Sequence, residues 1–251
     1  MAHPQQLKFV EITSKFFNFN NDANLKVIEI GSYILNGSVR SFFSSNQYVG
    51  VDLMSGPGVD VVSNGQEINV PDQNFDVAIS CECFEHNPYW FVSFQNMYNK
   101  LKMGGLLIVS CASRGRVEHG TKRTSPESSP GTQSIEWNYY KNLTNKDFLT
   151  KFDLDEMFDS HIFVYNGTSN DLYFVGLKLG AVTELSLSNL KSELQKINSL
   201  LPQTTTQKIY NIIRSVIRVP LFIASFLPDA AYQNFAVPYF KFFKRMKSLL
   251  F

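Results

Sequence analysis

The sequence has few cysteines, little net charge and no long apolar run. Cys81, Cys83 and Cys111 are its only cysteines among 251 residues, too few and too irregularly spaced for a zinc site or a disulfide framework. We therefore predict buried reduced thiols and no metal site. No run of about 18 uncharged apolar residues occurs, so no membrane-spanning helix is predicted. The first 17 residues lack a basic region followed by an apolar stretch, which argues against a signal peptide and favours a cytoplasmic protein.

The charge of the chain is divided unevenly along its length. With 44% hydrophobic residues and a net charge of +1, extensive disorder is excluded. Residues 1–180 hold 14 Lys and Arg against 19 Asp and Glu, a net of −5, whereas residues 181–251 hold 9 against 3, a net of +6. This split predicts a domain over residues 1–180 and a basic, hydrophobic helical extension over residues 181–251.

Short apolar strands alternate with helical patterns through residues 27–178. The predicted strands are 27–30, 48–51, 59–62, 75–80, 106–110, 161–165 and 172–177. Helices are predicted around residues 39–43, over 89–101, and over 144–158 with a capping box of Thr144 and Asp147. Strands without polar alternation indicate an α/β fold with a parallel sheet covered on both faces, here closed by a hairpin. The aperiodic segment 113–142 is predicted to be a functional loop.

The first strand and the turn after it predict a nucleoside-binding site. Glu29 and Gly31 lie at the carboxyl end of this strand, Gly37 lies in the turn, and Asp52 ends the second strand. Ligands of open α/β sheets bind at such strand ends, where a carboxylate can accept hydrogen bonds from ribose hydroxyls. A dinucleotide needs G-x-G-x-x-G, but the loop reads G-S-Y-I-L-N-G. Because Glu29 would repel a phosphate and suits an ammonium group, the loop favours S-adenosylmethionine over a nicotinamide dinucleotide.

Residues 27–178 resemble the class I S-adenosylmethionine-dependent methyltransferases, specifically the type 11 domain group. The matching segments are VIEIGSYILNGSVR (27–40), YVGVDLMSGPGVDVV (48–62), VPDQNFDVAISCECFEH (70–86), LKMGGLLIVS (101–110) and DLYFVGLK (171–178). The resemblance implies a Rossmann-like sheet of seven strands, mostly parallel with a C-terminal hairpin. It also implies S-adenosyl-L-methionine as cofactor and S-adenosyl-L-homocysteine as product. The segment RGRVEHGTKRTSPESSPGT resembles an insertion in a bacterial subgroup often found near surface-polysaccharide genes.

Eleven residues are candidates for cofactor binding. They are Glu29, Gly31, Ser32, Gly37, Asp52, Leu53, Asn64, Gly65, Ser80, Cys81 and Glu82. The resemblance implies that the methionine end lies at the first strand, the ribose at Asp52 and the adenine beside Leu53. Asn64 stands where the family often has an acid that meets the adenine amino group, and its side-chain carbonyl could accept the same bond.

Two histidines are candidate catalytic residues, because an oxygen or nitrogen acceptor must lose a proton. His86 follows the fourth strand, where a local structural role is the alternative. His119 lies in the long loop among four basic side chains, which should lower its pKa and keep it neutral. The same cations could attract phosphate or carboxylate, and the loop aromatics suit a sugar; a merely solvated loop is the alternative. The basic residues are Arg114, Arg116, Lys122 and Arg123, and the aromatics are Trp137, Tyr139 and Tyr140.

The extension mixes basic residues with Phe and Leu, as in YFKFFKRMKSLLF (239–251). Such a segment suits a helix that lies in a membrane interface. The alternative is a helical subdomain that packs on the catalytic domain or forms a dimer. A nucleic-acid partner is not predicted, because the cationic surface is confined to a very hydrophobic segment.

Together these features predict a methyltransferase that acts on a small-molecule or glycan acceptor, which a lipid could carry. The protein would be cytoplasmic, with peripheral contact on the inner membrane face. A non-catalytic interaction module with the same fold is the alternative. A nicotinamide-dependent oxidoreductase is disfavoured by the missing pyrophosphate loop.

Overall fold

The computed structural model of the chain describes residues 2–180, 186–202 and 204–250. Its described residues form one seven-stranded sheet with the order β3-β2-β1-β4-β5-β7-β6. The strands are β1 (Lys26–Ile30), β2 (Gln47–Asp52), β3 (Val61–Val62), β4 (Phe75–Cys81), β5 (Leu101–Ala112), β6 (Phe158–Asn166) and β7 (Asp171–Lys178). The helices are α1 (Pro4–Phe16), α2 (Trp90–Lys100), α3 (Pro130–Ser134), α4 (Asn145–Lys151), α5 (Leu154–Met157), α6 (Ser188–Gln195), α7 (Ile197–Leu200), α8 (Thr205–Ala224) and α9 (Asp229–Leu250).

Strand directions confirm the predicted fold class. The pairs β1–β2, β1–β4, β2–β3 and β4–β5 are parallel. Strand β7 runs antiparallel to both β5 and β6, so the late hairpin closes an otherwise parallel sheet. This is the Rossmann-like arrangement that the sequence resemblance implies.

Side chains from both faces of the sheet are buried, which explains the absence of polar alternation in its strands. In β1, Ile28 and Ile30 enter the core under α2, whereas Val27 points to the opposite core under α1. Phe94 and Met97 of α2 are fully buried on the first face. Phe9 of α1 stacks on the ring of Tyr173 on the second face, with ring centroids 4.3 Å apart.

The helix predicted around residues 39–43 is wrong. The chain forms only a 3-10 turn, Arg40–Phe42, between β1 and β2. Val39 and Phe43 are nevertheless buried, because α1 occupies the layer that a helix after β1 would fill. The hydroxyl of Ser14 in α1 donates to the Phe42 carbonyl and fixes this turn. The apolar spacing of residues 39–43 therefore reflects burial of these side chains against α1.

Two predicted boundaries also shift. The predicted helix over 144–158 is divided into α4 and α5, with Asp153 capping the second. The capping box of Thr144 and Asp147 is present. Strand β5 begins at Leu101, directly after α2, whereas the prediction places its start at residue 106. Gly104 and Gly105 therefore lie within the strand.

The beginning of the extension is part of the core, and its end is a helix pair. Residues 181–185 lie outside the described residues. Leu190, Leu194 and Ile197 of α6 and α7 are buried in the core cluster shared with α1. Further on, α8 and α9 pack around Leu221, Tyr232 and a residue of the long loop, Val117. In the described part of the chain, no helix combines the length and apolar character needed to cross a membrane.

Candidate active site

A cleft opens at the carboxyl ends of β1, β2 and β4. The sheet order places β1 between β2 and β4. The strands after β1 are added first on one side of it (β2, β3) and then on the other (β4, β5), and open α/β sheets bind ligands at such a reversal of strand order. The cleft has a cavity volume of about 100 Å³, and residues 128–132 of the long loop make one of its walls. The predicted site residues that line it are Gly31, Asp52, Leu53, Gly65, Cys81, Glu82 and His86.

Gly31 and Asp52 form the centre of the cleft. Gly31 has a φ of +81°, and a Cβ there would lie 2.8 Å from the Cys83 Cβ, so only glycine fits without a shift. The Asp52 carboxylate accepts hydrogen bonds from the backbone N–H groups of Tyr33 (3.0 Å) and Leu53 (2.7 Å). Burial raises the pKa of Asp52 despite these bonds. Each oxygen keeps a second lone-pair direction for a ligand hydroxyl.

The long loop closes onto Asp52. A Cβ on Gly131 would lie 2.8 Å from Asp52 Oδ1 and 3.4 Å from the Leu53 Cβ. The glycine in α3 therefore permits a close approach of backbone to the carboxylate.

Glu29, Ser32 and Gly37 line a smaller cavity, and Gly31 lies in the walls of both this cavity and the cleft. The Tyr48 hydroxyl donates to Glu29 Oε2 at 2.7 Å. Burial raises the pKa of Glu29 to about 7, against the effect of the Tyr48 bond. Ser32 Oγ and Gln6 Nε2 are buried in this region without hydrogen-bond partners among the described residues. Gln6 comes from α1, and sequence reasoning missed it.

The turn after β3 presents Gln66 to the cleft. Asn64 does not line it, because its side-chain oxygen accepts from the Gln66 N–H at 3.0 Å and its amide donates to Glu67. The Gln66 amide nitrogen donates to Asn87 at 3.2 Å, which leaves Gln66 Oε1 buried and unpartnered. The polar side chain that faces the cleft is thus two positions beyond the predicted one.

The predicted residues at the end of β4 differ in their surroundings. Ser80 is fully buried and donates to the Ile30 carbonyl at 2.9 Å, so it does not line the cleft. Cys81 lines both cavities. Glu82 has a φ of +53° and accepts from Ser110 at 3.0 Å. Burial opposes ionisation of Glu82, but His3 and Arg116 outweigh it and lower the pKa of the carboxyl.

His86 and His119 lie against each other beside Tyr140. The two imidazole centroids are 5.0 Å apart, and the Tyr140 ring is 5.4 Å from the first and 5.2 Å from the second. Burial, and then the Arg116 charge, lowers the pKa of His119 to about 4. Burial, and then His119, lowers the pKa of His86 well below its usual value. Both rings are therefore neutral at pH 7, as the sequence predicts for His119, although burial is the larger cause.

Two of the four basic loop residues are paired inside the protein. Arg116 lies 3.0 Å from Asp171 and 3.6 Å from Glu82. Arg123 forms an ion pair with Glu118 of the same loop. These pairs reduce the positive charge that the loop offers to an anionic acceptor.

Several solved structures are similar to this chain. One is the phosphoethanolamine N-methyltransferase 2 of Haemonchus contortus in complex with S-adenosyl-L-methionine, at 14% identity over 68% of this chain and 52% of that chain, with a TM-score of 0.46. Another is the 1,6-didemethyltoxoflavin-N1-methyltransferase of Burkholderia thailandensis, at 12% identity over 72% of this chain and 92% of that chain, with a TM-score of 0.43. Among curated protein sequences, no match is found.

A family comparison covers part of the chain. Residues 37–109 match the family described as a methyltransferase domain. The match indicates a methyltransferase. The matched residues run from the turn after β1 to β5 and so contain Asp52, His86 and most of the cleft.

The fold also brings together several polar residues that are not among the predicted cofactor-binding and catalytic residues. Gln6, Gln66 and Glu85 have buried side-chain atoms without partners near the cleft. Each side chain is supplied by a different element, and no local spacing connects them. The only available signal was Glu85 itself, which adjoins His86 in the sequence.

Proposed function

We propose that the cleft holds the cofactor through three groups of residues. Asp52 accepts hydrogen bonds from the ribose, and the adenine lies between Leu53 and Gly65. Gln66 Oε1, rather than Asn64, accepts the bond from the adenine amino group. Glu29 meets the ammonium group at the methionine end, while Ser32 and Gln6 donate to its carboxylate.

The unpartnered atoms support this fit. Ser32 Oγ, Gln6 Nε2 and Gln66 Oε1 are buried without partners among the described residues, and such groups normally have one. The two potential donors line the smaller cavity, and the acceptor lines the cleft. This distribution matches a ligand with a carboxylate at one end and an amino group at the other.

We propose that the acceptor is a hydroxyl group of a glycan or of another small polar molecule. The observation that carries this proposal is the pair of neutral histidines beside the cleft, one of which lines it. At the rim, Tyr89 is 51% exposed and its ring lies 5.8 Å from that of Trp137, which lines the cleft. Such aromatic faces with polar edges suit a sugar ring.

The histidines give the site a means of moving a proton. When bound, S-adenosylmethionine supplies an electrophilic methyl group on its sulfonium. His119 Nδ1–H can donate to the Val117 carbonyl at 3.3 Å, which leaves Nε2 free to accept the proton of the hydroxyl. His86 packs against the His119 ring and fixes its orientation.

We propose that the acceptor is carried on a lipid and that α8 and α9 contact the membrane surface. These helices and the turn between them expose Val216, Val219, Phe222, Ile223, Phe226, Leu227, Phe235, Phe240 and Phe242. The same helix pair supports the loop that bears His119: the Glu118 N–H donates to Gln233 at 2.9 Å, and the Tyr232 hydroxyl donates to the Gly115 carbonyl at 2.7 Å. Contact with a membrane would therefore place the histidine loop close to a lipid-linked sugar.

Methyl-transfer assays with labelled S-adenosylmethionine test the acceptor. Nucleotide sugars, free oligosaccharides and polyprenyl-linked sugars are offered as hydroxyl acceptors, beside amines and carboxylic acids as the other classes. We expect label on a sugar oxygen. His119→Ala should lower kcat roughly 100- to 10,000-fold, as loss of a general base does, and leave S-adenosylhomocysteine binding intact. His161→Ala, on the distant strand β6, is the matched control. Transfer only to nitrogen or carboxylate acceptors would contradict the proposal, and cofactor binding without any transfer would favour the non-catalytic module.

A further inference from the structure

Glu85, His86 and His119 converge beside the cleft. The first two lie in the turn after β4, and His119 comes from the long loop 33 residues later in the chain. One possible metal-ligand atom from each side chain lies within 4.8 Å of the other two. A carboxylate and two imidazoles are a ligand set that divalent transition metals commonly occupy.

The polar atoms of this cluster have no partners. Both carboxylate oxygens of Glu85, His86 Nδ1 and His119 Nε2 are buried without hydrogen bonds among the described residues. Glu85 is 0% exposed and His86 is 4% exposed. Burying so many unpaired polar atoms is unfavourable, and a single cation between them would satisfy several at once. The three side chains lie too far apart to bond one another and close enough to share an ion.

A second cluster of the same kind shows what distinguishes this one. His3, Glu82 and Asp171 also bring their possible ligand atoms within 4.8 Å. There, however, His3 lies 3.0 Å from Asp171, and Arg116 pairs with both carboxylates. The cationic side chains of His3 and Arg116 already neutralise the two carboxylates, so that cluster does not need a metal ion. The cluster of Glu85, His86 and His119 has no such internal compensation.

The hydrogen bonding of His119 suits metal ligation. His119 can donate its Nδ1–H to the Val117 carbonyl, which presents Nε2 as the ligand, as is usual for metal-binding histidines.

We propose that Glu85, His86 and His119 bind one divalent transition-metal cation that holds the acceptor. The three ligands leave coordination positions open toward the cleft, where His86 is part of the wall. These positions suit a hydroxyl oxygen, or two neighbouring hydroxyls of a sugar. This proposal rests on the cofactor site and the hydroxyl acceptor of the proposed function, and it replaces the role of His119 as base with that of a metal ligand.

The chemistry of the transfer then balances without a protein base. Coordination lowers the pKa of the acceptor hydroxyl, whose proton leaves to water. The acceptor oxygen forms the new C–O bond as the C–S bond of the donor breaks, and S-adenosylhomocysteine is released. No oxidant or reductant is required, so the cation need not change its oxidation state.

Binding of Co²⁺ tests the site independently of catalysis. Full-length protein without a histidine tag is stripped with chelator, and Co²⁺ is added in a calorimeter and in a visible-absorption cell. We expect one Co²⁺ per chain with a d–d band. Glu85→Gln and His119→Gln should each weaken binding by about 100-fold or more. His161→Gln, which changes a histidine outside the cluster, should bind as the wild type does. Equal Co²⁺ affinity in the wild type and both cluster variants would overturn the proposal.

The state of the cofactor site separates this inference from the proposed function. S-adenosylhomocysteine affinity of the metal-free protein and of each variant is measured in parallel, and it also reports that the variants are folded. We expect that affinity to change less than threefold. Methyl transfer should be lost on chelation and restored by Co²⁺, Zn²⁺ or Mn²⁺. Transfer that is insensitive to chelator, with His119→Gln still inactive, would make His119 the base and refute the metal site alone, whereas failure to bind S-adenosylhomocysteine would refute the proposed cleft.

Discussion

At the scale of single residues, Asp52 has the sharpest test. We expect Asp52→Ala to weaken S-adenosylhomocysteine binding roughly 10- to 100-fold, because hydrogen bonds to charged groups contribute about 1.5–3 kcal/mol. The affinity of Asp52→Asn, which keeps one side-chain carbonyl, should lie between those of the wild type and Asp52→Ala. Calorimetric titration of each variant measures the change.

Asp60 provides a matched control for Asp52. It accepts a hydrogen bond from the Gly50 N–H at 2.7 Å, much as Asp52 accepts from Tyr33 and Leu53, but it does not line the cleft. Asp60→Ala should therefore disturb the neighbouring backbone without changing the affinity. Equal losses in both variants would mean that Asp52 acts only on the fold, and unchanged affinity in Asp52→Ala would remove the ribose assignment.

The position of a residue at a strand end was predictable, whereas the direction of a side chain in a turn was not. Asp52 follows directly from the length of β2. Asn64 and Gln66 are both polar and two positions apart, so the sequence offers no means to choose between them. In the structure Asn64 bonds within its own turn, which is a common local preference of Asn. Glu85 and His119 meet only because the long loop folds back over the end of β4.

At the scale of secondary-structure elements, α8 and α9 carry the membrane proposal. Val216, Val219 and Ile223 recur at helical spacing on one side of α8, and Phe226 follows in the turn after the helix; all four are 52–69% exposed. We expect the double variant Phe222→Glu and Phe226→Glu to lower binding to vesicles of phosphatidylglycerol and phosphatidylcholine at least about tenfold. The reason is that two large apolar side chains contribute about 1.5–3 kcal/mol each when fully buried. Co-sedimentation measures the bound fraction.

A variant on another helix controls for added charge. Leu149 of α4 is 55% exposed, similar to the residues changed in α8. Leu149→Glu should leave vesicle binding unchanged. Wild-type binding should also weaken in high salt, because the extension carries a net charge of +6. The proposal fails if the wild-type protein does not sediment with these vesicles, or if all three proteins sediment equally.

The elements with strong patterns were predicted and those that depend on partners were not. β4, α2 and the late hairpin have long apolar or helical patterns and lie within a few residues of their predicted bounds. The predicted helix after β1 instead became a 3-10 turn, because α1 fills its place. Both α1 and residues 39–43 have apolar residues that suit the same face of the sheet. The sequence does not show which of the two segments forms the helix there.

At the scale of the whole molecule, the arrangement of the sheet followed from the alternation of strands and helices and from the family resemblance. The packing of the extension did not. Leu190 and Leu194 extend the core that α1 shares with the sheet, whereas α8 and α9 pack beside the long loop. The domain boundary at residue 180 was placed by a change in charge. A change in charge along the sequence indicates a change in the exposed surface. It does not indicate which helices pack into the core.

An ion cluster that joins distant parts of the chain makes stability depend on pH. His3, beside α1, lies 3.0 Å from Asp171 of β7 and 3.7 Å from Glu82, and Arg116 pairs with both carboxylates. Burial alone would lower the pKa of His3, but these hydrogen bonds and charges raise it from 6.5 to about 9. The stabilisation is therefore fully present below pH 6.5 and is lost as the pH rises through 9. We expect the free energy of unfolding in urea, wild type minus His3→Gln, to fall by about 3 kcal/mol between pH 6 and 10. A flat difference for His3→Gln would show that His3 does not tie α1 to the sheet.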